Sequence, residues 1–219
     1  LIEYLDQKGK GESPLSFDVM CVQELMTLPS QVARFKSQCA RARFHSVVAP
    51  SNETDRHGRS AGVALLSRWQ RSLDEYLLPD GFSLAPGRVA AAFWPGILKN
   101  GIVVVTVYLH DGVGLAPENV ALLKQVEALL FSLQVPYVMA GDFNVAPQTL
   151  LENGIVQRCK GKILCPPLTL MLQVIDLPSW MISSSPTRYT TWLWNVTSWS
   201  APPIAKHLPV VLVLQSPFV

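Results

Sequence analysis

Pro136-Tyr137-Val138-Met139-Ala140-Gly141-Asp142-Phe143-Asn144-Val145 is an apolar run that ends in Gly-Asp-Phe-Asn. It reads as a buried strand carrying a carboxylate and an amide off its C-terminal end. Residues i and i+2 of a strand point the same way, so Asp142 and Asn144 are expected to face one pocket while Phe143 turns into the packing. Such a pair can hold a water, a metal or a phosphate oxygen. It can also be an Asx turn that satisfies backbone amides, and the two readings are compatible.

Working outward, strand and helix periods alternate on both sides of this stretch. Ser16 to Glu24 reads as a buried β-branched strand with Gln23 and Glu24 at its end, so Glu24 stands where Asp142 stands. A helix started by Pro29-Ser30 runs to Arg43 with Val32, Phe35 and Cys39 on one face. Phe44 to Ala49 is a further strand, Ser51 to Arg59 a polar loop, and Gly62 to Arg68 a third strand. Arg88 to Trp94 and Ile102 to Leu109 flank an Asn100-Gly101 turn signal and form a hairpin. Pro117 to Gln134 has the apolar spacing of a helix that precedes the organising strand. Further on, Ile155-Val156, Thr169 to Asp176, Trp180 to Ile182 and Tyr189 to Val196 are candidate strands, and Leu208 to Leu214 is a clear one. The segment from Gln157 to Ser200 is less locally consistent than the first 150 residues, and no internal repeat is found.

The chain has 219 residues, 49% of them hydrophobic, enough for one large layered domain over residues 1–219. A formal net charge of +2 is too mild to imply a nucleic-acid partner by itself. Arg34, Lys36, Arg41 and Arg43 nevertheless lie together with no acid among them, as a DNA contact or as a solvated helix face. Four cysteines lack metal-ligand spacing and are too sparse for a disulfide scaffold, which points to a reducing compartment. No apolar run reaches the roughly 18 to 20 residues that span a bilayer, and no basic-then-apolar leader opens the chain. The expected protein is intracellular, cytoplasmic or nuclear, with no membrane partner. The abrupt opening at Leu1 suggests a fragment of a longer chain.

Together these residues resemble the endonuclease/exonuclease/phosphatase superfamily. Gln23-Glu24 after one apolar strand, Tyr108 in Val107-Tyr108-Leu109 after another and Gly141-Asp142-Phe143-Asn144 after a third follow its motif order. Ile175-Asp176-Leu177 is similar to its Ile-Asp-Tyr motif, and Ala205-Lys206-His207-Leu208-Pro209-Val210 to its final Ser-Asp-His before a strand. The resemblance implies a DNase I-like α/β fold, a four-layer α/β/β/α sandwich of two mixed sheets, and metal-dependent phosphoester hydrolysis. Magnesium, or alternatively manganese, is the implied cofactor, with Glu24 as its ligand. By the same resemblance Asp142 would position and deprotonate the attacking water, and Asn144 would hold that water or a phosphate oxygen. His207 would contact the phosphate, Asp176 would orient His207, and Tyr108 would donate to another phosphate oxygen. The bland readings stand beside these: a surface carboxylate at Glu24, a β-favoured core tyrosine at Tyr108, and a capping or core histidine at His207. His45 and His110 belong to no motif.

Two positions depart from the family pattern. The family's first motif, an Asn after the first strand, has no counterpart, so the first strand is expected to be missing. Lys206 replaces the acidic residue before the histidine; it would repel a cation or bind phosphate as a point charge. The function expected is an endonuclease or other phosphodiesterase on nucleic acid, DNA favoured, such as the endonuclease domain of a non-LTR retroelement or a repair-type nuclease. The alternatives are a phosphomonoesterase or lipid-headgroup phosphatase of the same fold, and an inactive relic that keeps the sandwich. Oligomeric state is not legible in the sequence.

Overall fold

The structure is a computed structural model that describes residues 19–54, 58–68, 84–95, 101–164 and 210–214. In chain order its elements are β1 (Val19–Val22), a 3-10 turn (Pro29–Gln31), α1 (Val32–Arg41), β2 (His45–Ala49), β3 (Asn52–Glu53), β4 (Arg59–Ser60), β5 (Val63–Ser67), β6 (Val89–Trp94) and β7 (Ile102–Tyr108). Then follow α2 (Pro117–Leu133), β8 (Tyr137–Asp142), α3 (Pro147–Asn153), α4 (Ile155–Arg158), β9 (Gly161–Leu164) and β10 (Val210–Leu214). One sheet has the order β1-β5-β2 and a second the order β6-β7-β8-β10-β9, with β3 and β4 as a small ribbon. In the first sheet the described pairs are antiparallel. The second is mixed, because β7 and β8 run parallel while β6 and β10 pair antiparallel to them.

Side-chain parity builds the layers. Val103, Val105 and Val107 of β7 pack with Leu122, Val126 and Leu129 of α2, together with Met139 and Phe143. The alternate residues Ile102 and Val104 face the other way and meet Leu65 of β5, Cys21 of β1 and Val138 of β8. On the first sheet, Ala64 and Leu66 turn outward to Phe35 and Cys39 of α1. Helix, sheet, sheet and helix follow from a period of two in the strands and about 3.6 in the helices. Burying both faces explains why β7 and β8 read as near-continuous apolar runs. Among the described residues no helix is long and apolar enough to cross a membrane.

The expected strand at Ile155-Val156 is instead the start of α4. Both residues are buried in the α2-side core, and a two-residue apolar pair carries no periodicity that separates strand from helix. Gly154, at φ +79°, ends α3 and admits α4 directly. Pro147 and Gly154 bracket α3 as a start and a stop signal. The polar loop from Ser51 to Arg59 contains the two short strands β3 and β4, in which Asn52 pairs with Ser60. The helix from Pro29 divides into a 3-10 turn and α1. The candidate strands at Thr169 to Asp176, Trp180 to Ile182 and Tyr189 to Val196 lie outside the described residues, as do Asp176, Lys206 and His207.

Gly141 is the tightest point of the second sheet. A Cβ there would collide with the backbone of Val107, the residue it faces across the parallel pair. The Gly141→Ala protein is expected to lose about 1–3 kcal/mol of stability, the usual cost of overpacking. The check is urea unfolding, with a lower midpoint at unchanged slope.

Candidate functional site

The C-terminal ends of three strands, β1, β7 and β8, converge at one edge of the sandwich. Parallel pairing of β7 with β8 sets Tyr108 directly opposite Asp142. Both lie at the C-terminal ends of their strands. Across the gap between the sheets, β1 delivers Gln23 and Glu24 just beyond Val22. The Tyr108 hydroxyl donates to Glu24 Oε1 at 2.6 Å, and Gln23 Nε2 donates to Thr106 Oγ1 at 2.7 Å. These two bonds join the sheets two residues apart along β7, on one face, since Thr106 and Tyr108 both point inward. β1 is thereby registered against the second sheet by polar contacts as well as by packing.

Asp142 is buried, at 7% exposure, and its Oδ1 accepts the backbone N–H of Asn144 at 3.1 Å. This is the Asx turn foreseen as the bland reading, and it coexists with a placed carboxylate. Phe143 packs into the α2-side core, as strand alternation requires. Asn144 is positioned differently from expectation: the strand ends at Asp142, and Asn144 sits in the left-handed region at φ +47°. A turn, and not i, i+2 alternation, brings its side chain back. Its Nδ2 donates to the Leu109 carbonyl at 2.9 Å, while the Leu109 N–H donates to the Asp142 carbonyl at 2.9 Å. Strand ends β7 and β8 are thus laced through Leu109.

Glu24 also adopts a left-handed backbone, φ +53°. Such a conformation costs a non-glycine residue on the order of 1 kcal/mol and persists where surrounding contacts determine it. Here the Leu25 N–H donates to the Gly62 carbonyl at 2.9 Å and the Ser51 N–H to the Thr27 carbonyl at 2.8 Å, which pin the loop after β1 to the ends of β2 and β5. Glu24 itself is exposed, and among the described residues its Oε2 has no hydrogen-bond partner. An exposed carboxylate with one oxygen committed and the other open suits a hard cation such as magnesium, which takes one or two carboxylates and keeps several waters. Among the described residues no group of three or more His, Cys, Asp or Glu gathers into a fuller cage.

Burial pushes the Tyr108 phenol well above its ordinary range; the hydrogen bond to Glu24 and that residue's charge raise it further, while Arg88 opposes. Burial lowers the His110 imidazole below its usual value, and the Arg88 charge lowers it again. His110 therefore favours its neutral form. The loop that carries it is held by the fully buried Asn119 of α2, whose Oδ1 accepts from the His110 N–H and whose Nδ2 donates to the carbonyls of His110 and Gly114.

Glu24, Tyr108, Asp142 and Asn144 are the sequence-selected residues that the structure brings together, and His207 and Asp176 fall outside the described residues. β10, which follows His207 in sequence, begins with Val210 paired to Gly141 at the Asp142 end. Arg34, Lys36, Arg41 and Arg43 are exposed around α1, on the outer face of the first sheet. Sequence reasoning gave no role to Arg88, Thr106 or Asn119. Arg88 opens a strand after a glycine, Thr106 interrupts a valine run at an inward position and Asn119 interrupts a helix's apolar face, and these irregularities were the available signals.

A family model described as Endonuclease/Exonuclease/phosphatase family matches residues 1–208. No curated protein sequence matches the chain at a significant level. Among solved structures, the catalytic domain of human Nocturnin with bound sulfate is similar at 15% identity and a TM-score of 0.51, over 89% of this chain and 79% of that one. Sphingomyelinase C from Streptomyces griseocarneus is similar at 14% identity and a TM-score of 0.47, covering 98% and 92%. The endonuclease domain of TRAS1, a telomere-specific non-LTR retrotransposon, is similar at 10% identity and a TM-score of 0.43, covering 90% and 99%. At 15% identity the likeness to the Nocturnin catalytic domain is one of fold.

The raised Tyr108 pKa has a defined sign in stability. A phenol that ionises later in the folded than in the unfolded state contributes stability fully present below about pH 10, the unfolded value, and lost as pH rises through the folded value. Wild-type unfolding free energy is expected to fall as pH climbs above about 10, and to fall less steeply in the Tyr108→Phe protein. Urea titrations across alkaline pH check it; parallel curves for the two proteins would place Tyr108 in an ordinary environment.

Proposed function

Because the chain belongs to the endonuclease/exonuclease/phosphatase family, whose members are generally hydrolases of phosphodiester bonds, we propose that it is a magnesium-dependent phosphodiesterase that cleaves nucleic acid, DNA in the first instance. The observation that carries the reading is the joined constellation of Glu24, Tyr108, Asp142 and Asn144 across three neighbouring strand ends. Glu24 is the residue that would hold the cation. A bound divalent ion supplies charge stabilisation for a phosphate that gains negative charge during in-line attack.

The chain's own groups then divide the remaining work. Asp142 presents a carboxylate fixed by the Asn144 N–H, a suitable acceptor for the proton of an attacking water. The Asn144 carboxamide offers two N–H donors and a carbonyl acceptor, with one donor used on Leu109 to set its orientation. Tyr108 has a single hydroxyl proton and donates it in its hydrogen bond to Glu24 Oε1. Its part in this reading is to aim the Glu24 carboxylate; donation to a phosphate oxygen requires releasing that bond. His207, with Asp176 to orient it, is proposed as the phosphate contact, supported by the start of β10 at the Asp142 end. Nucleic acid is favoured as substrate by the exposed basic run Arg34, Lys36, Arg41 and Arg43 around the outer helix α1.

Three outcomes test this reading. Purified protein is expected to nick supercoiled plasmid with magnesium and to stop when EDTA is added. Asp142→Ala is expected to cost about 10²–10⁴-fold in rate, the range for a general base, while far-ultraviolet circular dichroism stays unchanged. Cleavage by Asp142→Ala at the wild-type rate sinks the assignment. DNA binding should weaken linearly with the logarithm of salt concentration; hydrolysis of small phosphoesters with plasmid left intact would move the substrate away from nucleic acid.

A further inference from the structure

Arg88 is a half-buried cation at the entrance of β6, beside Tyr108 and without an ion pair among the described residues. Its guanidinium carbon lies 4.7 Å from the centroid of the Tyr108 ring. Nη1 reaches the carbonyls of Tyr108 and Leu109 at 3.4 and 3.5 Å, and Nη2 reaches Ser60 Oγ at 3.5 Å. The backbone repeats the connection, since the Tyr108 N–H donates to the Arg88 carbonyl at 2.8 Å. One face of the arginine therefore meets the second sheet and its far end meets β4 from the first half of the chain.

The groups that Arg88 touches are the ones on which the site hangs. Tyr108 is the residue whose hydroxyl holds Glu24, and the Leu109 carbonyl is the acceptor that holds Asn144. Resting on the hydrolase reading above, we infer that Arg88 is a positioning residue: its planar cation clamps the Tyr108 ring and the Leu109 carbonyl, and through them sets where the Glu24 carboxylate and the Asn144 amide stand. A planar, five-donor guanidinium can stack on a ring and reach two carbonyls at once. An ammonium cannot do both, so lysine is a poor substitute.

The experiment uses the full chain with Arg88→Ala, Arg88→Lys, Tyr108→Phe and the Arg88→Ala/Tyr108→Phe pair, each first shown to unfold cooperatively. Ultraviolet-excited Raman spectra, with the Tyr108→Phe spectrum subtracted, isolate the tyrosine ring doublet that reports whether the Tyr108 hydroxyl donates strongly. Arg88→Ala is expected to shift that doublet from a strong donor toward a water-bonded phenol, and Arg88→Lys to restore it only in part. Magnesium-dependent plasmid cleavage by Arg88→Ala should fall about 10- to 100-fold in kcat with KM little changed, the cost of a small misplacement. The same substitution should cost clearly less in the Tyr108→Phe background, because residues that act through one another are not additive. An unmoved doublet overturns the inference whatever the activity, and a loss confined to KM reassigns Arg88 to substrate binding. A shifted doublet in a protein with no metal-dependent cleavage overturns the hydrolase reading and leaves the clamp standing.

Discussion

The parallel pairing of β7 with β8 through Gly141 is the contact on which the rest of the arrangement depends. It needs a residue without a side chain, because the Val107 backbone fills the place a Cβ would occupy. With that approach made, Tyr108 falls opposite Asp142 and Leu109 falls within reach of both the Asp142 carbonyl and the Asn144 side chain. A one-residue slip would turn Asp142 into the helix-side core and Phe143 into the gap between the sheets. Burial of Phe143 and Met139 on the helix side opposes that slip, so the apolar packing and the polar edge specify the same register.

The space between the sheets is apolar along most of its length and polar at one end. Leu65, Ala92, Trp94, Val104 and Val138 fill the middle. Near the site end the inward positions become Thr106, Tyr108 and Asp142, each with a hydrogen bond to use, which is the condition for burying such groups without a large penalty. Cys21 lies in this transition. Burial pushes its thiol up to about 12, against a small opposing effect of Thr106, so it behaves as an inert core group at neutral pH. Cys39 and Cys159 are likewise pushed up to about 11 by burial. The sheets meet as a dry wall with a wet rim, and the candidate chemistry occupies the rim.

At that rim the backbone is held in conformations that local preference does not favour. Glu24 and Asn144 both take positive φ, as do Met26 and Ala61 nearby. Loop-to-loop hydrogen bonds from Leu25 and Ser51 hold the turns around Glu24, Met26 and Ala61, and the Gly62 N–H donates to the Gly87 carbonyl. Gly87 immediately precedes Arg88. The loops after β1 and before β6 are therefore one connected structure, and Arg88 extends it by side chain onto Tyr108. Strain of this kind is retained where a surrounding framework over-determines it, and functional edges are where it is commonly found.

By itself the sequence determined the alternation of strands and helices, the hairpin of β6 with β7, and a chemical strand end at Asp142. Those features are written in local periodicity, in turn residues and in a period of two that sends Asp142 and Phe143 to opposite faces. It also nominated Glu24 and Tyr108 through motif resemblance, with no geometry to connect them. Only the tertiary structure decided that the Tyr108 hydroxyl is spent on Glu24, because residues 84 apart meet only when two sheets face each other. Asn144 needed it too: the strand stops at Asp142, so a left-handed turn, and not strand alternation, sets Asn144 beside Asp142 and the Leu109 carbonyl. Ile155 and Val156 were ambiguous for the opposite reason, a run too short for any period, which packing resolved as helix. Arg88 and Thr106 break the local pattern without naming their partners, because those partners are distant in sequence, and long-range proximity is what a fold adds to a pattern.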